Sequence, residues 1–128
     1  MTTHTIEIKN DAYDAWLEVE LLDVNSNEFE IKYISNNKYT FFYLWIEKMK
    51  TLKYKPKQSP NDSNVFETNQ IVRVFNKINE SNLKGWVSGV IEKKKGEFNL
   101  INLTSGKAIN DVEMKKIFHK SEIRLPEE

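Results

Sequence analysis

Cysteine is absent from this sequence, which excludes disulfide staples and thiolate chemistry and fits a reducing compartment. Glycine is scarce, at four residues, too few to expect a glycine-rich phosphate cradle. No nucleotide fingerprint and no Ser or Cys nucleophile motif occurs. The two histidines, His4 and His119, lack zinc-ligand spacing, so neither metal nor cofactor is expected. Carboxylates such as Glu18 and Glu20 alternate along an open strand, with no reason for a raised pKa. An excess of one charge is missing as well: 19 basic and 19 acidic side chains cancel, so no strongly electrostatic partner is advertised. The longest apolar run, from Tyr39 to Ile46, is far below the ~20 residues of a membrane span. The N-terminus has no signal-peptide core. These absences lead us to expect a protein with no enzymatic activity and no membrane contact, located in the cytoplasm with the nucleus also open to it.

What is present is alternation. Period-two apolar stretches run from Thr5 to Lys9, Leu17 to Val24, Glu28 to Ile34, Tyr39 to Ile46, Gln70 to Phe75, Trp86 to Lys93 and Glu97 to Leu103. Their β-branched and aromatic content predicts strands. Turn signals separate them at Asn25 to Asn27, Ser35 to Asn37, Lys95-Gly96 and Ser105-Gly106. Two segments, Ile46 to Leu52 and Val112 to Lys120, read as short helical turns or as strands. From Lys53 to Thr68, two prolines among Ser, Asn and Asp give the composition of a linker.

The segments on either side repeat. A shift of 69 positions lays Ala15 to Lys38 on Lys84 to Lys107 without a gap, so that Glu28-Phe29 meets Glu97-Phe98. Leu21 then meets Val90, and Ile31 meets Leu100. The expected organisation is a first repeat over 1–56, a linker over 57–68 and a second repeat over 69–128. About five short strands in about 60 residues must curl to cover their own apolar face. The expected fold is therefore all-β: two tandem SH3-like barrels packed against each other.

The second repeat runs through Val72-Arg73-Val74, then Trp86 opening a long strand, then Lys95-Gly96 and Gly96-Glu97-Phe98, with Ile123-Arg124 at its close. That order of motifs resembles the tandem Agenet (Tudor-like) modules of the fragile X mental retardation protein family, and the likeness is closer here than in the first repeat. In the first repeat, Ile6 to Lys9 and Ala15-Trp16-Leu17 through Asp23-Val24 match the family's opening. The resemblance implies a β-barrel pair that binds proteins and methylated lysine, in an RNA-binding regulator of translation. Its RNA contacts would fall mainly to KH domains outside this chain, which contains no GXXG loop.

Trp86 corresponds to one wall of the family's aromatic cage for a methylated lysine, a cation held by ring faces. The competing reading is a tryptophan packed at the rim of a core. The other two cage positions fall on Leu103 and on Ile109, or Met114 with a different gap, and none is aromatic. Each lost ring removes ~0.5–2 kcal/mol of cation–π attraction. A second candidate cage in the first repeat comprises Trp16, Tyr33, Tyr39 and Phe41, swung together by a one-residue bulge. The run from Tyr39 to Ile46 is apolar on both faces, as expected of a strand buried between the barrels or of a homodimer contact. Lys53, Lys55 and Lys57 around Tyr54, and Lys93 to Lys95, could track a phosphate backbone. The expected function is a protein-interaction module for lysine-containing or methylated peptides, with a reduced cage. The alternative is a nucleic-acid-binding β-barrel.

Overall fold

The computed structural model describes residues 3–23, 28–34, 41–45, 53–61, 65–78, 83–106 and 114–126. Ten strands occur among them: β1 (Thr3–Asn10), β2 (Ala15–Asp23), β3 (Glu28–Tyr33), β4 (Phe41–Trp45), β5 (Tyr54–Pro56), β6 (Ile71–Lys77), β7 (Lys84–Lys95), β8 (Phe98–Leu103), β9 (Met114–His119) and β10 (Ile123–Arg124). A 3₁₀ turn, Lys120–Glu122, precedes β10. The protein is all-β, and every described strand pairing is antiparallel.

The pairing order repeats. In the first half β1 to β4 form a meander, and β5 returns to the free side of β1. In the second half β6 to β9 form the same meander, and β10 returns to β6. The halves are also joined edge to edge within one sheet, because β2 pairs with β7 through Ala15↔Val87 and Trp16↔Trp86. The connection is therefore a strand ladder as well as packed faces.

Side chains follow the pleat. On β7, Val87 and Ile91 point inward and join Val72 and Val74 of β6, Ile101 and Leu103 of β8, Phe118 of β9 and Ile123 of β10 in one buried cluster. The second-half sheet curls over this common interior. Each such side chain contributes about 1.5–3 kcal/mol on burial. Ala15 and Leu17, at the head of β2, enter the same cluster. Further along β2, Val19 packs with Ile6, Ile8, Leu21 and Tyr33 in a smaller one.

Three details depart from the sequence reading. The segment left open between helix and strand at 112–120 contains β9, and the first residues of the proline-containing linker form β5. Pro56 fits there because β5 is an edge strand, where a missing N–H leaves no ladder bond unmade. The repeat also slips by two residues: Leu21 pairs with Ile31, but Val90 pairs with Asn102 rather than Leu100. A bulge between Ile91 and Lys93 and a tight turn at Gly96, with φ of 62°, lengthen the second hairpin. The one-residue offset on each strand turns the aligned positions to opposite faces: Leu17 enters the core, while Trp86, which the shift of 69 lays on it, stands on the outer face and Val87 takes the inward place.

Candidate functional site at the seam between the halves

The outer faces of the two half-sheets meet around the Trp16↔Trp86 pair. Glu7, Lys9, Trp16 and Glu18 alternate onto the outer face of β1 and β2, while Arg73, Phe75, Trp86 and Arg124 do so on β6, β7 and β10. Trp86 is only 5% exposed. One of its faces carries the Arg124 guanidinium, 4.3 Å from the ring centroid, and Phe75 tilts against it with centroids 5.3 Å apart. Arg124 in turn forms a two-pronged pair with Glu7: Nη1 donates to Oε2 at 2.7 Å and Nη2 to Oε1 at 2.6 Å. The Gln58 backbone N–H donates to the same carboxylate at 2.9 Å, and its carbonyl accepts from Arg124 at 2.7 Å. Trp16 is similarly covered by cations of its own chain, Lys55 at 4.9 Å and Lys9 at 5.5 Å from its ring.

Beside this seam lies a cleft of about 230 Å³ lined by Glu18, Lys57, Pro60, Phe75, Trp86 and Glu122, among others. At about 30 Å³ per water it has room for roughly seven waters, or for an alkylated ammonium and the end of its carbon stem. Its chemistry is two rings and two carboxylates. The Trp86 indole N–H donates to Glu18 Oε1 at 3.4 Å, and Lys57 Nζ approaches Glu18 Oε2 at 3.3 Å. Glu122 accepts the His119 backbone N–H at 3.1 Å, completing the capping box of the 3₁₀ turn. Such a cleft suits a soft, bulky cation: rings hold its methyl groups and carboxylates balance its charge.

The candidate residues fall in different places. Trp86 lines the cleft, and Trp16 stands across the ladder from it. Leu103 lies in the core cluster, 4% exposed. Tyr33 bridges the two clusters, and burial pushes its phenol pKa up. Phe41 opens β4, where its backbone pairs with Lys32. Tyr39 and Ile109 lie outside the described residues, as does the Ile46 end of the apolar run. Of the linker lysines, Lys53 is exposed and its carbonyl accepts from the Lys9 N–H at 2.9 Å. Lys55 turns inward to Trp16 and Gln58, and Lys57 reaches Glu18. The sequence did not single out Phe75, Glu18 or Glu122 as partners of Trp86. Phe75 was detectable in principle, since a β6–β7 hairpin pairing places it directly opposite Trp86.

Ser121 Oγ, His119 and Glu97 stand in series, at 2.9 Å and 3.1 Å. His119 Nδ1 also accepts the Ser121 backbone N–H, and Glu97 is shared with Lys120. All three groups face solvent, so the arrangement reads as a turn cap rather than a water-excluding nucleophile. Among the described residues no group of three or more His, Asp or Glu side chains could hold a metal, and no helix is long and apolar enough to cross a membrane.

No family model matches the chain, and no curated protein does. One solved structure that it resembles in outline is a selenium-substituted mutant of the SHH1 SAWADEE domain from Arabidopsis thaliana, at 13% identity and a TM-score of 0.44, over 99% of this chain and 100% of that one. So distant a superposition establishes neither a shared family nor a shared activity.

Proposed function

We propose that this protein is a non-catalytic module that binds the methylated lysine of a partner protein in the seam cleft. In this reading the two halves are tandem Agenet-like barrels. The repeated five-strand pairing order supports that architecture, as does the fragile X-like order of motifs. The observation that carries the function is the Phe75–Trp86 ring pair flanked by Glu18 and Glu122 in one cleft. Phe75 and the carboxylates take the part that Leu103, aliphatic and buried in the core, does not. An entering methylammonium would lie against the rings, take Glu122 as counter-ion and compete with Lys57 for Glu18. The linker lysines, two of them engaged within the chain, favour this reading over a phosphate-tracking surface.

The test is a titration with one lysine peptide in unmethylated, dimethylated and trimethylated forms, following the Trp86 indole N–H by NMR. Methylated peptides should shift that resonance and bind several-fold tighter than the unmodified one. Phe75→Ala should weaken methylated binding by about tenfold, the loss of one good ring contact. Equal binding of all three peptides, or shifts that leave the indole untouched, would overturn the proposal.

A further inference from the structure

The outer face of the second-half hairpin carries a feature that the seam does not use. Leu100 of β8 pairs with Ile117 of β9, and Phe98 pairs with His119. Phe98 is 53% exposed and Ile117 64%. Together with Lys93, Lys94 and Lys95 they line a hollow of about 480 Å³, larger than the seam cleft. β9 pairs only with β8 among the described strands, so its outer edge offers backbone groups beside the hollow.

The charges around it are uneven. Among the described residues the two nearby carboxylates are already engaged: Glu92 with Lys115 at 3.1 Å, and Glu97 with His119 and Lys120 at 3.1 and 3.4 Å. Lys93, Lys94 and Lys95 are exposed and have no carboxylate partner among the described residues. In a chain of zero net charge, Lys93 and Lys95, opposite Leu100 and Phe98, therefore put two ammonium groups with no described carboxylate partner on the face of the apolar floor, with Lys94 at its border.

We propose that this face docks an extended acidic peptide with a large apolar side chain near its middle. That side chain fills the hollow over Phe98, Leu100 and Ile117, and the flanking carboxylates meet Lys93 and Lys95. Charge complementarity selects an acidic partner, and the mostly aliphatic floor selects a side chain over a stacked base. Phe98 already turns toward the His119 ring in an edge contact at 5.2 Å, which suits a side chain packing beside it rather than a base lying flat.

The experiment uses the full chain and a labelled peptide, Glu-Asp-Glu-Leu-Phe-Asp-Glu, with a Ser-Ser version of its central pair and a short oligouridylate as comparisons. The Leu-Phe peptide should bind at least about fivefold tighter than the Ser-Ser peptide. Its NMR shifts should centre on Lys93, Lys94, Lys95, Leu100 and Ile117, not on the Trp86 indole. Ile117→Glu and, separately, Lys95→Glu should each weaken it by about tenfold while the spectrum stays folded. Both positions are exposed, so neither change disturbs the core. No binding, equal binding of the Ser-Ser peptide, tighter binding of the oligouridylate, or shifts centred on Trp86 would overturn the proposal.

Discussion

Arg124 is 1% exposed, and its surroundings receive both Nη groups and the flat face of the guanidinium, while its buried Nε has no hydrogen-bond partner among the described residues. Glu7, itself 0% exposed, takes both Nη groups, while Trp86 takes the flat face. Removing Arg124 would leave the buried Glu7 carboxylate with only Lys55, 3.6 Å away, and the Gln58 N–H to balance it, at a cost of up to about 3–5 kcal/mol, whereas removing both charges together costs much less. Arg124→Met should therefore lower the urea midpoint strongly. Adding Glu7→Gln to it should recover a large part of the loss, and purely additive effects in the double mutant would show that the two charges are not coupled. The sequence marked Trp86 as a wall for a partner's methylated lysine, and in the structure one face of the ring carries a cation of the chain's own, Arg124. Which cation it faces was not legible, because Arg124 reaches it from a two-residue strand with no periodicity of its own.

Among the elements, the pairing of β2 with β7 depends on one small residue. A Cβ on Gly85 would stand 2.7 Å from Leu17 Cδ2 and 2.9 Å from the Trp16 carbonyl oxygen, closer than real contacts allow. Gly85→Ala should push the two strands apart and destabilise the protein by about 1–3 kcal/mol, the usual range for overpacking. Urea unfolding measures this, and an unchanged midpoint would mean that the ladder between the halves is not a stabilising contact. Apart from β9, strands of six or more residues were visible by alternation, as β8 illustrates with Asn99, Ile101 and Leu103 buried and Phe98 exposed. The three residues of β5 and two of β10 are too few to alternate. β9 is a different case. Met114, Ile117 and Phe118 have helical spacing, and the conflict arises because Ile117 is apolar yet faces outward. The residue that blurred the period is the one that floors the proposed docking hollow.

For the whole molecule, the question is what keeps the two halves in register, and Asp14 is where several long-range contacts converge. It sits at φ 48°, a left-handed conformation that Asp tolerates better than most residues. Its carbonyl accepts from Arg73 Nη1 at 2.7 Å and from Ser105 Oγ at 2.8 Å, partners 59 and 91 residues away, which no local pattern could reveal. Its carboxylate binds Lys9 at 2.8 Å and Arg73 Nη2 at 3.1 Å. Burial alone would raise the Asp14 pKa, but the hydrogen bonds and charges of Lys9 and Arg73 together outweigh it and hold the carboxyl below its ordinary value. A carboxyl whose folded pKa is depressed stabilises the native state above its unfolded pKa, near pH 4. That contribution is lost as pH falls through the lower folded value. Asp14→Asn keeps the shape and the tolerance of positive φ while removing the charge. The variant should therefore melt below the parent protein at neutral pH. The difference should shrink below about pH 4, where the parent's own carboxyl becomes protonated. Melting curves from neutral to strongly acidic solution, read by circular dichroism, decide the matter. A gap that stays constant across that range would mean that the halves are held by the Asp14 backbone and not by its charge.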